Sequence, residues 1–285
     1  MSATVTDLAP APARPERTPA DDRVQRLLDG LRRKYANRVT GELTMPAQPA
    51  CFGDMPRELY PRLRAALAAR GLSRLYTHQR AAWELAQAGE HLVVATPTAS
   101  GKTLCYNLPV LDAVLSRGAK ALYLFPTKAL AQDQVAELSA LNQALVGALR
   151  DGPPAGTAVP AGEGRGADGA NQGSEPGKDR GTLGIKAFTF DGDTPGDARK
   201  AVRTRGDIVL SNPDMLHQAI LPHHTKWAQF FEALEYIVVD ELHGYRGVFG
   251  SHVANVFRRL MRICRFYGAS PRFIFASATI ANPAE

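Results

Sequence analysis

Short apolar runs alternate with stretches of helical periodicity along most of this chain. His91-Leu92-Val93-Val94-Ala95, Ala121-Leu122-Tyr123-Leu124-Phe125, Ile185 to Phe190, Ile208-Val209-Leu210, Glu235-Tyr236-Ile237-Val238-Val239 and Phe273-Ile274-Phe275 read as buried strands. Between them, apolar residues at helical spacing predict helices over His78 to Ala88, Leu104 to Leu115 and Ala129 to Leu145. Such alternation predicts an α/β fold, a mostly parallel sheet with helices on both faces. Two further amphipathic segments, Asp22 to Tyr35 and about Arg57 to Arg70, predict accessory helices over 21–71 that pack outside a core starting near Leu72.

Two stretches break the pattern. Asp151 to Thr182 contains no Leu, Ile, Met or aromatic residue and is dense in Gly, Ala and Pro. It cannot bury enough apolar surface to offset the entropy of ordering, so a flexible insertion into the 72–285 domain is expected. Residues 1–20 are rich in Ala and Pro and carry Asp7 and Glu16, the composition of a disordered leader and not of a secretion signal.

Composition narrows the class. A chain of 285 residues with 45% apolar content can bury one α/β domain plus flanking segments. Its 34 basic and 28 acidic residues give a net charge of +6, compatible with a nucleic-acid partner but too mild to establish one. Three scattered cysteines, Cys51, Cys105 and Cys264, exclude a four-thiolate zinc site and point to a reducing cytoplasmic setting. No apolar run is long enough to span a bilayer, so no membrane partner is expected.

Thr96-Pro97-Thr98-Ala99-Ser100-Gly101-Lys102-Thr103 lies between a predicted strand and a predicted helix. A loop in that position aims backbone N–H groups and the positive end of a helix at an anion. Lys102 would sit against the β- and γ-phosphates of a nucleoside triphosphate, and the Thr103 hydroxyl would ligate Mg²⁺. The usual glycine-rich pattern is broken twice, by Thr96 and by Ala99.

Downstream, Asp240-Glu241-Leu242-His243 follows a buried-strand pattern directly. Carboxylates at the end of a parallel strand lie where open α/β sheets bind ligands. Asp240 can hold Mg²⁺ through water, and Glu241 can polarise an attacking water.

With these motifs in hand, the chain resembles the ATP-binding half, a RecA-like P-loop domain, of a superfamily 2 DExH-box helicase. The MrfA/YprA-type bacterial DNA repair helicases are the nearest likeness, drawn by Tyr245-Arg246-Gly247-Val248-Phe249-Gly250-Ser251-His252. The resemblance implies ATP and Mg²⁺ as ligands, with Lys102 and Glu241 catalytic. In Tyr76-Thr77-His78-Gln79 it implies that Gln79 reads the adenine edge. It makes Ser277-Ala278-Thr279 the coupling motif, with His243 linking the ATP site to Ser277 and Thr279. Phe125 to Gln134, Asp191 to Pro195 and Ser211 to His217 resemble the nucleic-acid-facing motifs, which places Pro126, Thr127, Lys128, Asp193, Thr194, Asn212 and Pro213 against a single or partly duplex strand. Helix starts after Pro126-Thr127 and Asn212-Pro213 would offer N–H groups to phosphates without base preference.

The same resemblance implies a second RecA-like domain carrying an arginine finger, which this sequence lacks. The chain is therefore expected to be truncated after the coupling motif and to hydrolyse ATP slowly by itself. DNA over RNA, a 3′-to-5′ direction, a role in repair and a bacterial source for that cytoplasm rest on the likeness alone. An RNA helicase and a P-loop ATPase not acting on nucleic acid stay open as alternatives. So does a catalytically silent binding module.

Overall fold

A computed structural model of the chain describes residues 19–41, 49–150 and 184–278. The expected insertion, Thr279 and all but the end of the expected leader lie outside the described residues. The chain divides into two compact units, Met1–Cys51 and Phe52–Glu285. In the first, α1 (Pro19–Lys34) ends on Arg32, Arg33 and Lys34, cations that favour the negative end of a helix. Arg32 also pairs with Asp29 one turn back, at 2.8 Å.

The second unit opens with β1 (Phe52–Asp54), α2 (Pro61–Ala69), β2 (Arg74–Tyr76) and α3 (Thr77–Gln87). Strands β1 and β2 pair antiparallel, Phe52 opposite Tyr76. Helix α2 starts at Pro61, later than the periodicity predicts, because proline has no N–H to donate and its fixed φ suits a first helical position. Gly71 at φ 79° closes it, with the Leu72 N–H reaching back to the Leu67 carbonyl at 2.9 Å. Leu59, Leu63 and Ala66 are fully buried in the main core cluster. Residues ahead of Leu72, from Leu59 onward, thus belong to the buried core, and α2 is one of its walls.

The sheet is built from β3 (Leu92–Ala95), β4 (Lys120–Leu124), β5 (Ala187–Thr189), β6 (Ile208–Ser211), β7 (Leu234–Val239) and β8 (Arg272–Ser277). These six strands are ordered β3-β8-β7-β4-β6-β5, and every neighbouring pair is parallel. Side chains alternate between its faces. Ala121, Tyr123 and Phe125 join a cluster with α2, α3, α4 (Lys102–Arg117) and α5 (Lys128–Arg150). Leu122 and Leu124 join the opposite cluster, with residues of α6 (Gly196–Arg205), α8 (Ala228–Glu232) and α9 (Gly247–Phe266). The α/β expectation with helices on both faces holds.

Between β6 and β7 the chain avoids a long regular helix. The short α7 (Pro213–Met215) runs into a π-helical turn, Leu216–Ile220, and a 3₁₀ stretch, Leu221–Trp227. Pro222 lies in that stretch and cannot donate to an α-helical ladder. Leu216, Ile220, Leu221 and Trp227 nevertheless point inward, at no more than 1% exposure, so apolar anchoring holds the irregular path.

Candidate functional site

Because the strands are parallel, their carboxyl ends share one edge of the sheet, and every motif singled out in the sequence except Tyr76–Gln79, which joins β2 to α3, lies at or just after one of these ends. Thr96–Thr103 follows β3, Pro126–Lys128 follows β4, and Asp191–Pro195 follows β5. Asn212–Pro213 follows β6, Asp240–His243 follows β7, and β8 ends at Ser277.

The loop after β3 is tied to itself. Thr96 Oγ1 and Ser100 Oγ are 2.6 Å apart. Lys102 Nζ donates to the Thr96 and Pro97 carbonyls at 2.9 Å each. Gly101 occupies the left-handed region at φ 78°, and a Cβ there would lie 2.6 Å from Gln79 Nε2, so both backbone and space demand glycine. Ala99 is also left-handed, at φ 61°. That explains why glycine is common at this position and why alanine departs from the pattern at a cost. Ala99→Gly is expected to raise stability by about 0.5–1 kcal/mol, the relieved strain less the entropy glycine adds to the unfolded chain, read from thermal or denaturant unfolding.

Residues 76–79 brace this loop from below. Gln79 is 5% exposed. Its Oε1 accepts from the Tyr76 N–H at 2.9 Å while its Nε2 donates to the Gly101 carbonyl at 3.0 Å. Its amide thus ties the start of α3 to the loop. His78 Nε2 lies 3.0 Å from the Ser100 carbonyl, which can only accept, so that nitrogen carries the proton. Beside the loop, the Tyr76 ring stacks on Phe52 at 4.8 Å and on His78 at 5.6 Å, both Phe52 and Tyr76 remaining partly open to solvent. The periodicity gave no sign of this aromatic lip, because β1 and β2 are three residues each.

At the end of β7, Asp240 is fixed from two sides. Its Oδ1 accepts from the Glu241 N–H at 2.8 Å, and its Oδ2 lies 3.0 Å from the Tyr106 hydroxyl. Tyr106, on α4, also lies 3.1 Å from Gln134 Oε1 on α5. A phenol has one proton for two acceptors, and Gln134 Nε2 is buried without a partner. Turning the Gln134 amide resolves the conflict at the phenol: Nε2 donates to the Tyr106 oxygen, Tyr106 donates to Asp240, and the amide oxygen takes the unpartnered buried position. Burial pushes the Tyr106 phenol far up, so it remains a neutral donor. Burial also pushes the Asp240 carboxyl up, opposed by the Glu241 N–H, by Tyr106 and by the Lys102 charge. Tyr106 carried no motif in the sequence, where it reads as one more apolar position of α4. Tyr106→Phe is expected to cost about 1–2 kcal/mol of stability and to raise the Mg²⁺ concentration needed for nucleotide binding, checked by unfolding and by Mg²⁺ titration.

Glu241 holds a left-handed backbone at φ 53°. Its Oε2 lies 3.2 Å from His243 Nδ1, and the same nitrogen is 3.4 Å from Ser277 Oγ. His243 therefore stands between the β7 carboxylate and the buried end of β8.

The strands on the other side of the edge carry a different chemistry. Thr127 caps α5, its Oγ1 accepting from the Leu130 N–H at 3.4 Å. Lys128 Nζ pairs with Asp193 Oδ2 at 2.6 Å, joining the ends of β4 and β5 across open solvent. Within the β5 turn, Thr194 Oγ1 accepts from the Asp191 N–H at 2.9 Å. Arg199 of α6 clamps that turn, donating to the Thr194 carbonyl at 2.9 Å and lying over the Phe190 ring. Asn212 caps α7 by accepting from the Met215 N–H at 2.8 Å, and Pro213 is buried behind it. Asp193, whose carboxylate would repel a phosphate, is occupied by Lys128 instead.

Residues 76–155 and 170–285 match the DEAD/DEAH box helicase family. The chain belongs to that family. It is 53% identical over 232 residues to the ATP-dependent helicase YprA of Bacillus subtilis, covering 81% of this chain and 26% of that protein. To the ATP-dependent helicase hrq1 of Schizosaccharomyces pombe it is 37% identical over 257 residues, covering 88% of this chain and 21% of the relative. A crystal structure of the DUF1998 helicase MrfA bound to DNA and AMPPNP shares 52% identity at a TM-score of 0.69, covering 84% of this chain and 29% of that one. The six-stranded sheet with its flanking helices is the RecA-like helicase arrangement. This chain spans about a quarter of the length of YprA. Among the described residues no helix is long and apolar enough to cross a membrane.

Proposed function

We propose that this domain is the ATP-binding half of a DNA helicase that moves 3′ to 5′ and serves DNA repair in a bacterial cytoplasm, with a second RecA-like domain elsewhere in the longer protein. The observation that carries the reading is the collection of six motifs at the carboxyl ends of six parallel strands; it supports assigning the nucleotide to the ends of β3, β7 and β8 and the strand to those of β4, β5 and β6. Choosing DNA over RNA is supported by the MrfA structures, which contain DNA.

In this reading the N–H groups of Ser100 to Thr103 cradle the phosphates and Lys102 leaves the Thr96 and Pro97 carbonyls to reach them. Phe52 and Tyr76 give the adenine an aromatic face, and Gln79 acts on the base by holding the loop beside it. Thr103 and Asp240 would hold Mg²⁺, and the residues fit it: Asp240 is pre-oriented by two donors and keeps lone pairs for a metal-bound water. The metal supplies charge neutralisation on the phosphates. Glu241 orients the attacking water, and His243 passes the state of that carboxylate to Ser277. Backbone N–H groups near Thr127 and Asn212, with Lys128, would hold the strand by its phosphates.

The test is ATP hydrolysis with and without single-stranded DNA or RNA, using Lys102→Ala as the blank. Expected are Lys102-dependent nucleotide binding with slow turnover in the 285-residue chain, and turnover stimulated by DNA in the longer protein. Absence of strand binding at low salt would favour a P-loop ATPase acting on something else.

A further inference from the structure

We infer that a groove between α7 and α9 holds the phosphate backbone of a single strand beyond Asn212, an extension that rests on the strand-binding reading above. The groove has a volume of about 430 Å³ and is lined by Asp214, His217, Phe249, His252, Arg259 and Arg262 among others. None of these residues is needed for the ATP site. Pro213 also lines it, so the groove starts where the β6 motif ends and a strand crossing the sheet edge enters it directly.

The wall supplied by α9 has a defined chemistry. His252, Asn255, Arg259 and Arg262 recur at spacings of three and four, which sets them on one helical face. The opposite face buries Leu260 and Cys264 in the core. The side chains of Arg259 and Arg262 make no hydrogen bond or ion pair among the described residues, and neither do those of His217 and His252. Asp214 is the one acidic residue among the groove's lining, so the cleft is left positively charged. A guanidinium matches a phosphodiester geometrically, and a strand supplies one such anion per nucleotide. Phe249, 44% exposed, adds an apolar ring against which a base can lie. The contact is with the backbone and takes DNA or RNA by the same chemistry.

The experiment measures binding of a fluorescent 20-nucleotide oligo-dT, and of oligo-U in a parallel arm, between 50 and 200 mM salt. It compares the wild-type chain, Arg259→Gln/Arg262→Gln, and the control Lys226→Gln/Arg265→Gln, which removes the same charge outside the groove. The groove variant is expected to bind more weakly, with the slope of log affinity against log salt shallower by about 1.4, roughly 0.7 for each lost phosphate contact. The control keeps the wild-type slope, and all three proteins bind a fluorescent ATP analogue alike, which establishes that they are folded. Equal slopes in wild type and groove variant overturn the inference while the strand-binding reading stands. An equal loss in the control also overturns it, since net charge alone would then explain the effect. A wild-type chain that binds neither oligonucleotide overturns both. Preference for oligo-dT or oligo-U in the wild type that disappears in the groove variant would mean base or sugar readout there, contrary to a backbone contact.

Discussion

Lys102→Ala is expected to weaken nucleotide binding about 10- to 100-fold, the ~1.5–3 kcal/mol that a charge-assisted hydrogen bond to phosphate contributes. In the structure the lysine already sits at the loop, held by the Thr96 and Pro97 carbonyls, so it need only swing to reach a phosphate. The fold should tolerate its loss, because both acceptors belong to a partly exposed loop and α4 is anchored by Leu108, Val110 and Leu111 farther along. Equilibrium titration with a fluorescent ATP analogue measures the affinity, and the thermal unfolding midpoint of the same samples measures the fold. Unchanged affinity would remove the phosphate role from Lys102.

Glu241→Gln is expected to leave that affinity within a few-fold and to lower strand-stimulated hydrolysis about 10²- to 10⁴-fold, the range for loss of a positioned proton acceptor. An amide keeps the size and most hydrogen-bonding capacity of the carboxylate but no longer attracts a proton. The contact with His243 Nδ1 at 3.2 Å should survive in neutral form, which separates loss of chemistry from loss of architecture. The assay is release of inorganic phosphate by the longer protein with saturating single-stranded DNA. Hydrolysis at the wild-type rate would assign the water to another group.

Much of this was legible in the residues because the relevant signals are local. A buried parallel strand writes itself as a run such as Tyr236 to Val239, and the residue after it falls at the sheet edge whatever the rest of the chain does. Six such runs, each followed by a distinctive short motif, were therefore enough to place Thr96, Pro126, Asn212, Asp240 and Ser277 at one edge. Contacts between elements left no such trace. The stack of Phe52 on Tyr76 depends on pairing two three-residue strands separated by all of α2. The Gln134–Tyr106–Asp240 chain joins residues on three elements, and in the sequence a tyrosine on a buried helix face looks like packing. The late start of α2 and the irregular path from Leu216 to Trp227 were hidden for another reason: apolar periodicity continues through prolines that the backbone cannot. Gln79 was marked by its motif, but its tie to the Gly101 carbonyl, a contact between two elements, was not legible there.

On the proposed function, one sheet edge holds two ligands side by side, nucleotide at β3 and β7 and strand at β4 to β6. Hydrogen exchange of the 285-residue chain, alone and with saturating Mg·ATP or single-stranded DNA, tests it amide by amide. The account predicts slower exchange at 96–103 and 240–244 with nucleotide, and at 126–130, 191–196 and 212–217 with the strand. Binding of either ligand with protection confined to other segments would contradict it.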